Sequence, residues 1–181
     1  MIKCLRVDHR LLHGQVAFSW TSALGADCIL IANDDVMKDE LRKTTIKMAK
    51  PQGVKLVMKS VEDGIAAVNS GVTDKYKLFI VVESIQDAYR FATETNVIKS
   101  VNLGGTKAKE NTRNISKAIN VTEEETTLLK ELVDKGIEVE IRMVPNDAKV
   151  LAENVFLIRI RNTNLSKVKA NRIKKHNHET I

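Results

Sequence analysis

The chain has 181 residues, 43% of them hydrophobic and 29% charged, which suits one soluble globular domain with a sizeable buried core. No apolar run approaches the roughly 20 residues of a membrane helix, the N-terminus lacks the apolar stretch of a signal peptide, and aromatics at 4% are too few for nucleic-acid stacking platforms. The net charge of +6 is local. Residues 154–181 hold Arg159, Arg161, Lys167, Lys169, Arg172, Lys174 and Lys175 against Glu179 alone, and taking these from 29 basic and 23 acidic residues leaves 22 of each. A neutral body with a basic tail argues against a nucleic-acid-binding domain.

In chain order, short β-branched runs alternate with amphipathic stretches. Ile2–Val7 reads as a strand. Val16, Trp20, Ala23 and Leu24 follow helical spacing, with Gly25 as the stop. Cys28–Ala32 is a second strand, Asp39–Ala49 a helix closed by Pro51, and Val54–Met58 a third strand. Ser60 with Asp63 caps a helix over Val61–Asn69. Leu78–Val82 is a fourth strand, apolar throughout, as when both faces are covered. Ser84 with Asp87 caps a helix ending near Thr93. Ser100–Leu103 is a fifth strand and Ile115–Val121 a short sixth. Thr122 with Glu125 caps a helix to Lys135, ended by Gly136, and Ile137–Val144 is a strand stopped by Pro145. The alternation predicts an α/β fold: three α/β/α layers around a mostly parallel sheet. Cys4 and Cys28 fall within strands without C-x-x-C spacing and read as buried small hydrophobes, not as a disulfide or zinc ligands.

Ligands in such sheets sit at the carboxyl ends of the strands. That selects the loops Asp8–His13, Asn33–Asp35, Glu83–Ser84, Gly104–Thr106 and Pro145–Asp147. The sharpest is the first, within Arg6-Val7-Asp8-His9-Arg10-Leu11-Leu12-His13-Gly14-Gln15-Val16. A neutral imidazole is a nucleophile toward phosphorus, and an unperturbed pKa of about 6.5 keeps much of it neutral in the cell. An arginine such as Arg10 can fork onto phosphate oxygens, and an aspartate such as Asp8 can orient an imidazole. Gly14 permits close backbone approach, and a helix opening near Gln15 would present free N–H groups to an anion. His13 is the nucleophile favoured by this reading, ahead of His9. No Gly-x-Gly-x-x-Gly or Gly-x-x-x-x-Gly-Lys follows the strand, which disfavours nucleotide binding.

The segment RVDHRLLHGQV, with NDDVMKDELRKTTIKMAKPQGVK, VNLGG and EIRMVPND, resembles the IIB components of the mannose–fructose–sorbose family of the bacterial sugar phosphotransferase system over residues 1–155. The resemblance implies a parallel-cored α/β/α fold and a protein-N(pi)-phosphohistidine–sugar phosphotransferase subunit. It implies a phosphoryl group received from a IIA domain on His13, with Asp8 and Arg10 as loop partners. The group then passes to a sugar entering through membrane subunits IIC and IID. Many relatives carry another residue at His9, which argues against His9 as carrier, and other IIB families use a cysteine. Asn102, Gly104, Gly105 and Pro145 lie in the resembling segments, and Asn102 is taken with the two glycines as a candidate phosphate contact. The two glycines are read there equally as backbone turns or as phosphate contacts. Arg142 reads as a strand residue with a solvated head, Asp147 as a weak candidate, and Asp34 and Asp35 as turn and cap residues.

Chains of the family end near Phe156. Residues 156–181 therefore read as a basic extension: VFLIRIR alternates like an extra strand, and His176 and His178 fall in a disordered end. No metal or organic cofactor is implied, because positioning and charge suffice for phosphoryl transfer. The chain is expected in the cytoplasm, held at the membrane through IIC and IID. The overall sequence is most similar to members handling N-acetylgalactosamine or related amino sugars. Composition leaves both a monomer and a homo-oligomer open. The rival readings are a small-molecule kinase or phosphatase on a nucleotide-binding fold, and a nucleic-acid-binding regulatory protein using the basic tail.

Overall fold

A computed structural model describes residues 1–14 and 16–156. Seven strands form one sheet in the order β3-β2-β4-β1-β5-β8-β9. These are β1 Ile2–Asp8, β2 Cys28–Ala32, β3 Lys55–Lys59, β4 Leu78–Val82, β5 Ser100–Gly105, β8 Glu138–Ile141 and β9 Val150–Leu151. Within this sheet every pairing is parallel except β8 with β9. The carboxyl ends of β1, β2, β4, β5 and β8 therefore share one edge, as the alternation of strands and helices demands.

Helices cover both faces. Leu5, Val7, Leu30, Ile80, Val101 and Val139 point to the layer of α3 Val61–Asn69, α4 Ile85–Glu94 and α5 Glu123–Asp134. Cys4, Ile29, Ile31, Phe79 and Val81 point to the other layer. There a π-helical turn, Val16–Trp20, runs into α1 Thr21–Leu24, and α2 Glu40–Met48 follows. The helix starts are those the sequence marks. Asp39, Ser60, Ser84 and Thr122 each accept a backbone N–H, and Thr122 with Glu125 forms a full capping box. Gly25 ends α1 in the left-handed conformation.

Three boundaries differ from the sequence reading by more than one residue. Ile115–Val121 is not one strand but an antiparallel hairpin of β6 Arg113–Ser116 and β7 Ile119–Val121. A continuous strand would put Lys117 on the buried face with Ile115, Ile119 and Val121, and the chain reverses there instead. β5 continues through Gly104 and Gly105. β8 stops at Ile141 because the carbonyls of Arg142 and Met143 accept side-chain donors rather than a strand partner.

Residues 152–156 are helical where the extra strand was expected to start, and Phe156 is buried in the core. The remainder of the 156–181 extension, with His176 and His178, lies outside the described residues.

Candidate active site

At the end of β1 the chain folds back on Asp8. The Asp8 carboxylate accepts the Arg10 N–H at 3.1 Å, and the Asp8 carbonyl accepts the Leu11 N–H at 2.8 Å. Leu11 takes a left-handed φ of 56°, costing a leucine on the order of 1–2 kcal/mol. Its side chain and that of Leu12 are buried in the layer beneath, so packing holds a conformation the backbone alone disfavours. His13 follows at the rim, its carbonyl accepting the Ala17 N–H at 2.9 Å as the helical turns begin.

This brings His13 Nε2 to 3.3 Å from Asp8 Oδ2. The carboxylate is 3% exposed and the imidazole 22%, so one partner is fixed in the interior while the other still reaches solvent. Burial lowers the His13 pKa. Asp8 opposes that, by charge and by hydrogen bond, and the positive charges of Arg10 and Arg6 add to it. The ring is thereby kept in the neutral, nucleophilic form.

Beneath Asp8 lies a buried polar block. The register sets Arg6 beside Asn102 of β5 and Asn102 beside Glu140 of β8, a row across three strands on one face. Arg6 donates from Nη1 to Asn102 Oδ1 at 2.6 Å and to the Arg142 carbonyl at 3.2 Å. From Nη2 it donates to Asp8 Oδ2 at 3.0 Å and to the Met143 carbonyl at 3.2 Å. Asn102 donates in turn to Glu140, which is also paired with Arg142 at 2.9 Å. The Arg6 and Arg142 guanidinium groups each lie 5.0 Å from the centre of the Trp20 ring, whose Nε1 donates to the Met143 carbonyl. The residue that opens this block, Arg6, was missed in the sequence reading. Its signal was available: a lone polar residue between apolar neighbours in each of Leu5-Arg6-Val7, Val101-Asn102-Leu103 and Val139-Glu140-Ile141.

The structure groups Asp8, His13 and Arg10 on one loop, the Arg10 side chain being exposed. Gly14 is exposed, and a Cβ there would meet nothing within 4 Å. Gln15 lies outside the described residues. Asn102 is buried, with its amide engaged by Arg6, Glu140 and the Arg142 carbonyl. Gly104 lies within β5, not in a turn, and a Cβ there would fall 1.9 Å from Arg6 Cζ. It is glycine because the guanidinium occupies that space. The Gly105 carbonyl accepts the His9 N–H.

Arg142 is half-buried over Trp20 rather than solvated, and donates to the Pro145 carbonyl at 3.3 Å. Asp147 accepts from Val144, and Asp34 from the first N–H of α3. Asp35 makes no side-chain cap bond, and Asn33 accepts the Val36 N–H in its place. His9 faces a separate cleft of about 470 Å³ between the ends of β2, β4 and β5, lined also by Asn33, Glu83, Asp87 and Lys107. Cys4 and Cys28 are buried and unpaired, and burial pushes the Cys4 thiol up to about 12. Among the described residues no helix is long and apolar enough to cross a membrane.

Residues 2–169 match the family described as the PTS system sorbose subfamily IIB component. A probable phosphotransferase enzyme IIB component of Streptococcus pyogenes is 36% identical over 83% of this chain and 96% of its own. The crystal structure of the IIBSor domain of the sorbose permease from Klebsiella pneumoniae superposes with a TM-score of 0.81. Its identity is 28%, over 86% of this chain and 96% of that one. The N-acetylgalactosamine-specific IIB component 1 from Escherichia coli superposes with a TM-score of 0.77 at 26% identity, covering 82% and 97%. The chain belongs to the sorbose-subfamily IIB components of the sugar phosphotransferase system, and is a phosphotransferase subunit of that system.

Proposed function

We propose that His13 is the phosphoryl carrier, and that its Nδ1 is the reacting atom. The observation that carries this is the 3.3 Å approach of Nε2 to a buried Asp8 carboxylate, which takes up one ring nitrogen and leaves the other for chemistry. The Nδ1 lone pair attacks phosphorus on the phospho-IIA donor, the donor's N–P bond breaks, and a new N–P bond forms on His13. Because Nε2 keeps its proton, the phosphorylated ring is cationic, and Asp8 stabilises that charge. A protonated phospho-imidazole is also a good leaving group. A sugar hydroxyl then attacks phosphorus, the imidazole recovers its lone pair, and the hydroxyl proton passes to solvent. Arg10, exposed beside His13, is placed to fork onto phosphoryl oxygens as they arrive. The donor is a IIA domain, and the acceptor sugar enters through membrane subunits IIC and IID, which hold this chain at the cytoplasmic face. An amino sugar such as N-acetylgalactosamine is the acceptor we favour, a IIB component specific for that sugar being among the structures the chain resembles.

The test is labelling from phosphoenolpyruvate through the energy-coupling proteins and a cognate IIA. One acid-labile, base-stable phosphoryl group is expected, lost in His13→Ala and kept in His9→Ala and Cys4→Ala. Label persisting in His13→Ala, or mapped to His9 or Cys4, refutes the assignment. A panel of sugars presented with IIC and IID tests the acceptor.

A further inference from the structure

The face of β1 that carries Cys4, Arg6 and Asp8 packs against the layer of Leu11, Leu12 and Trp20, where an apolar side chain would be expected at position 6. The chain instead buries a guanidinium there, 1% exposed, and meets it with four oxygens. A glycine at 104 clears its space. A buried ion pair is weak evidence for stability, since a well-packed apolar side chain of similar volume often does as well. The arrangement therefore points to geometry rather than to folding energy.

Resting on the reading of His13 as the carrier, we infer that Arg6 is a positioning residue of the reaction. Its guanidinium fixes the Asp8 carboxylate so that Oδ2 receives the Nε2–H of His13 and Nδ1 alone can take the phosphoryl group. The terminal torsion of an aspartate is soft and roughly two-fold. Here it is locked from two sides: the Arg10 N–H holds Oδ1 at 3.1 Å, and Arg6 Nη2 holds Oδ2 at 3.0 Å. What remains on Oδ2 is the direction toward His13. Arg6 is itself held by Asn102 and by the carbonyls of Arg142 and Met143, so the ends of β5 and β8 set the plane of the carboxylate. The Arg6 charge has a second effect. An unbalanced carboxylate would draw a proton onto the ring and remove the lone pair that must attack. The neighbouring guanidinium offsets it, and Asp8 still accepts the Nε2 proton.

The test reads the tautomer as well as the rate. In the wild-type chain, long-range ¹H–¹⁵N correlation should show His13 as the Nε2–H tautomer; a dominant Nδ1–H form overturns the inference. Arg6→Lys keeps the charge, but one ammonium cannot span Asp8, Asn102 and two carbonyls. We expect a mixture of tautomers and a transfer rate from phospho-IIA lowered roughly ten- to a hundredfold, the effect of one charge-assisted hydrogen bond, with KM for the donor unchanged. A role confined to folding would lower the melting temperature and leave the tautomer alone. If Arg6→Lys does not fold, Asn102→Ala removes the 2.6 Å anchor of the guanidinium and should shift the tautomer in the same sense. A wild-type tautomer and rate in whichever variant folds overturns the role of Arg6. Failure to label His13 in the wild-type chain would instead overturn the carrier assignment, and the tautomer measurements would stand apart from it.

Discussion

Alanine at position 104 is the sharpest test of the buried block. Gly104 is not among the glycines with positive φ, so its backbone would accept an alanine, and Gly→Ala in a strand ordinarily stabilises by about 0.5–1 kcal/mol. Here the sign reverses. The new Cβ would lie 1.9 Å from Arg6 Cζ, 2.1 Å from Nη2 and 2.2 Å from Nη1. Those atoms are the planar head of a side chain held by four hydrogen bonds, and they cannot move aside without taking from the buried Asp8 carboxylate its guanidinium partner. Removing one partner of a buried pair costs about 3–5 kcal/mol, a large share of a total stability of about 5–15 kcal/mol. At roughly 2–4 °C per kcal/mol for a chain of this size, the melting temperature should fall by about 6–20 °C. Urea unfolding followed by circular dichroism gives the free energy directly. Repeating the substitution in an Arg6→Leu background removes the clashing head, so the cost of Gly104→Ala should shrink to within about 1 kcal/mol. A single-variant cost below about 1 kcal/mol, or the same cost in both backgrounds, would show that the two residues do not compete for that space.

Four further outcomes are expected, three at the site and one at the basic end. Burial holds the His13 pKa below the usual value of about 6.5, so between the two the unfolded chain binds more protons. The stability linked to this group is full above the usual value and is lost as pH falls through that window, while phosphoryl acceptance persists into it. Asp8→Asn removes the charge that raises the His13 pKa, and an NMR titration should find the ring protonating at lower pH still; a shift upward contradicts the pairing. Arg10→Lys keeps the charge but not the fork, and should slow transfer roughly 10–150-fold with near-normal folding, as measured by quench kinetics. Truncation after Ala170, just beyond the family match at residue 169, should leave labelling of His13 by phospho-IIA intact; loss of labelling would make the basic end a docking element.

Much of the fold was legible because its signals are local. Capping residues at Asp39, Ser60, Ser84 and Thr122 and the apolar runs of β2 and β4 fix elements within a few residues of chain. Asp8, Arg10 and His13 were legible for the same reason, lying within six positions of one loop, and the family resemblance is sharpest in that loop. Where the reading failed, the deciding partner was distant in sequence. β8 ends at Ile141 because Arg6, Asn102 and Trp20 claim the next two carbonyls. Gly104 read equally as a turn or a phosphate contact, and only the path of a side chain 98 positions earlier shows that it clears a space. Asn102 read as a phosphate contact, and the sheet register turns its amide into the interior between Arg6 and Glu140. The sequence by itself determined which residues form the candidate loop, since Asp8, Arg10 and His13 are neighbours along the chain. The tertiary structure alone decided what holds that loop in place, because a buried charge must be met by oxygens from whichever strands the register brings beside it.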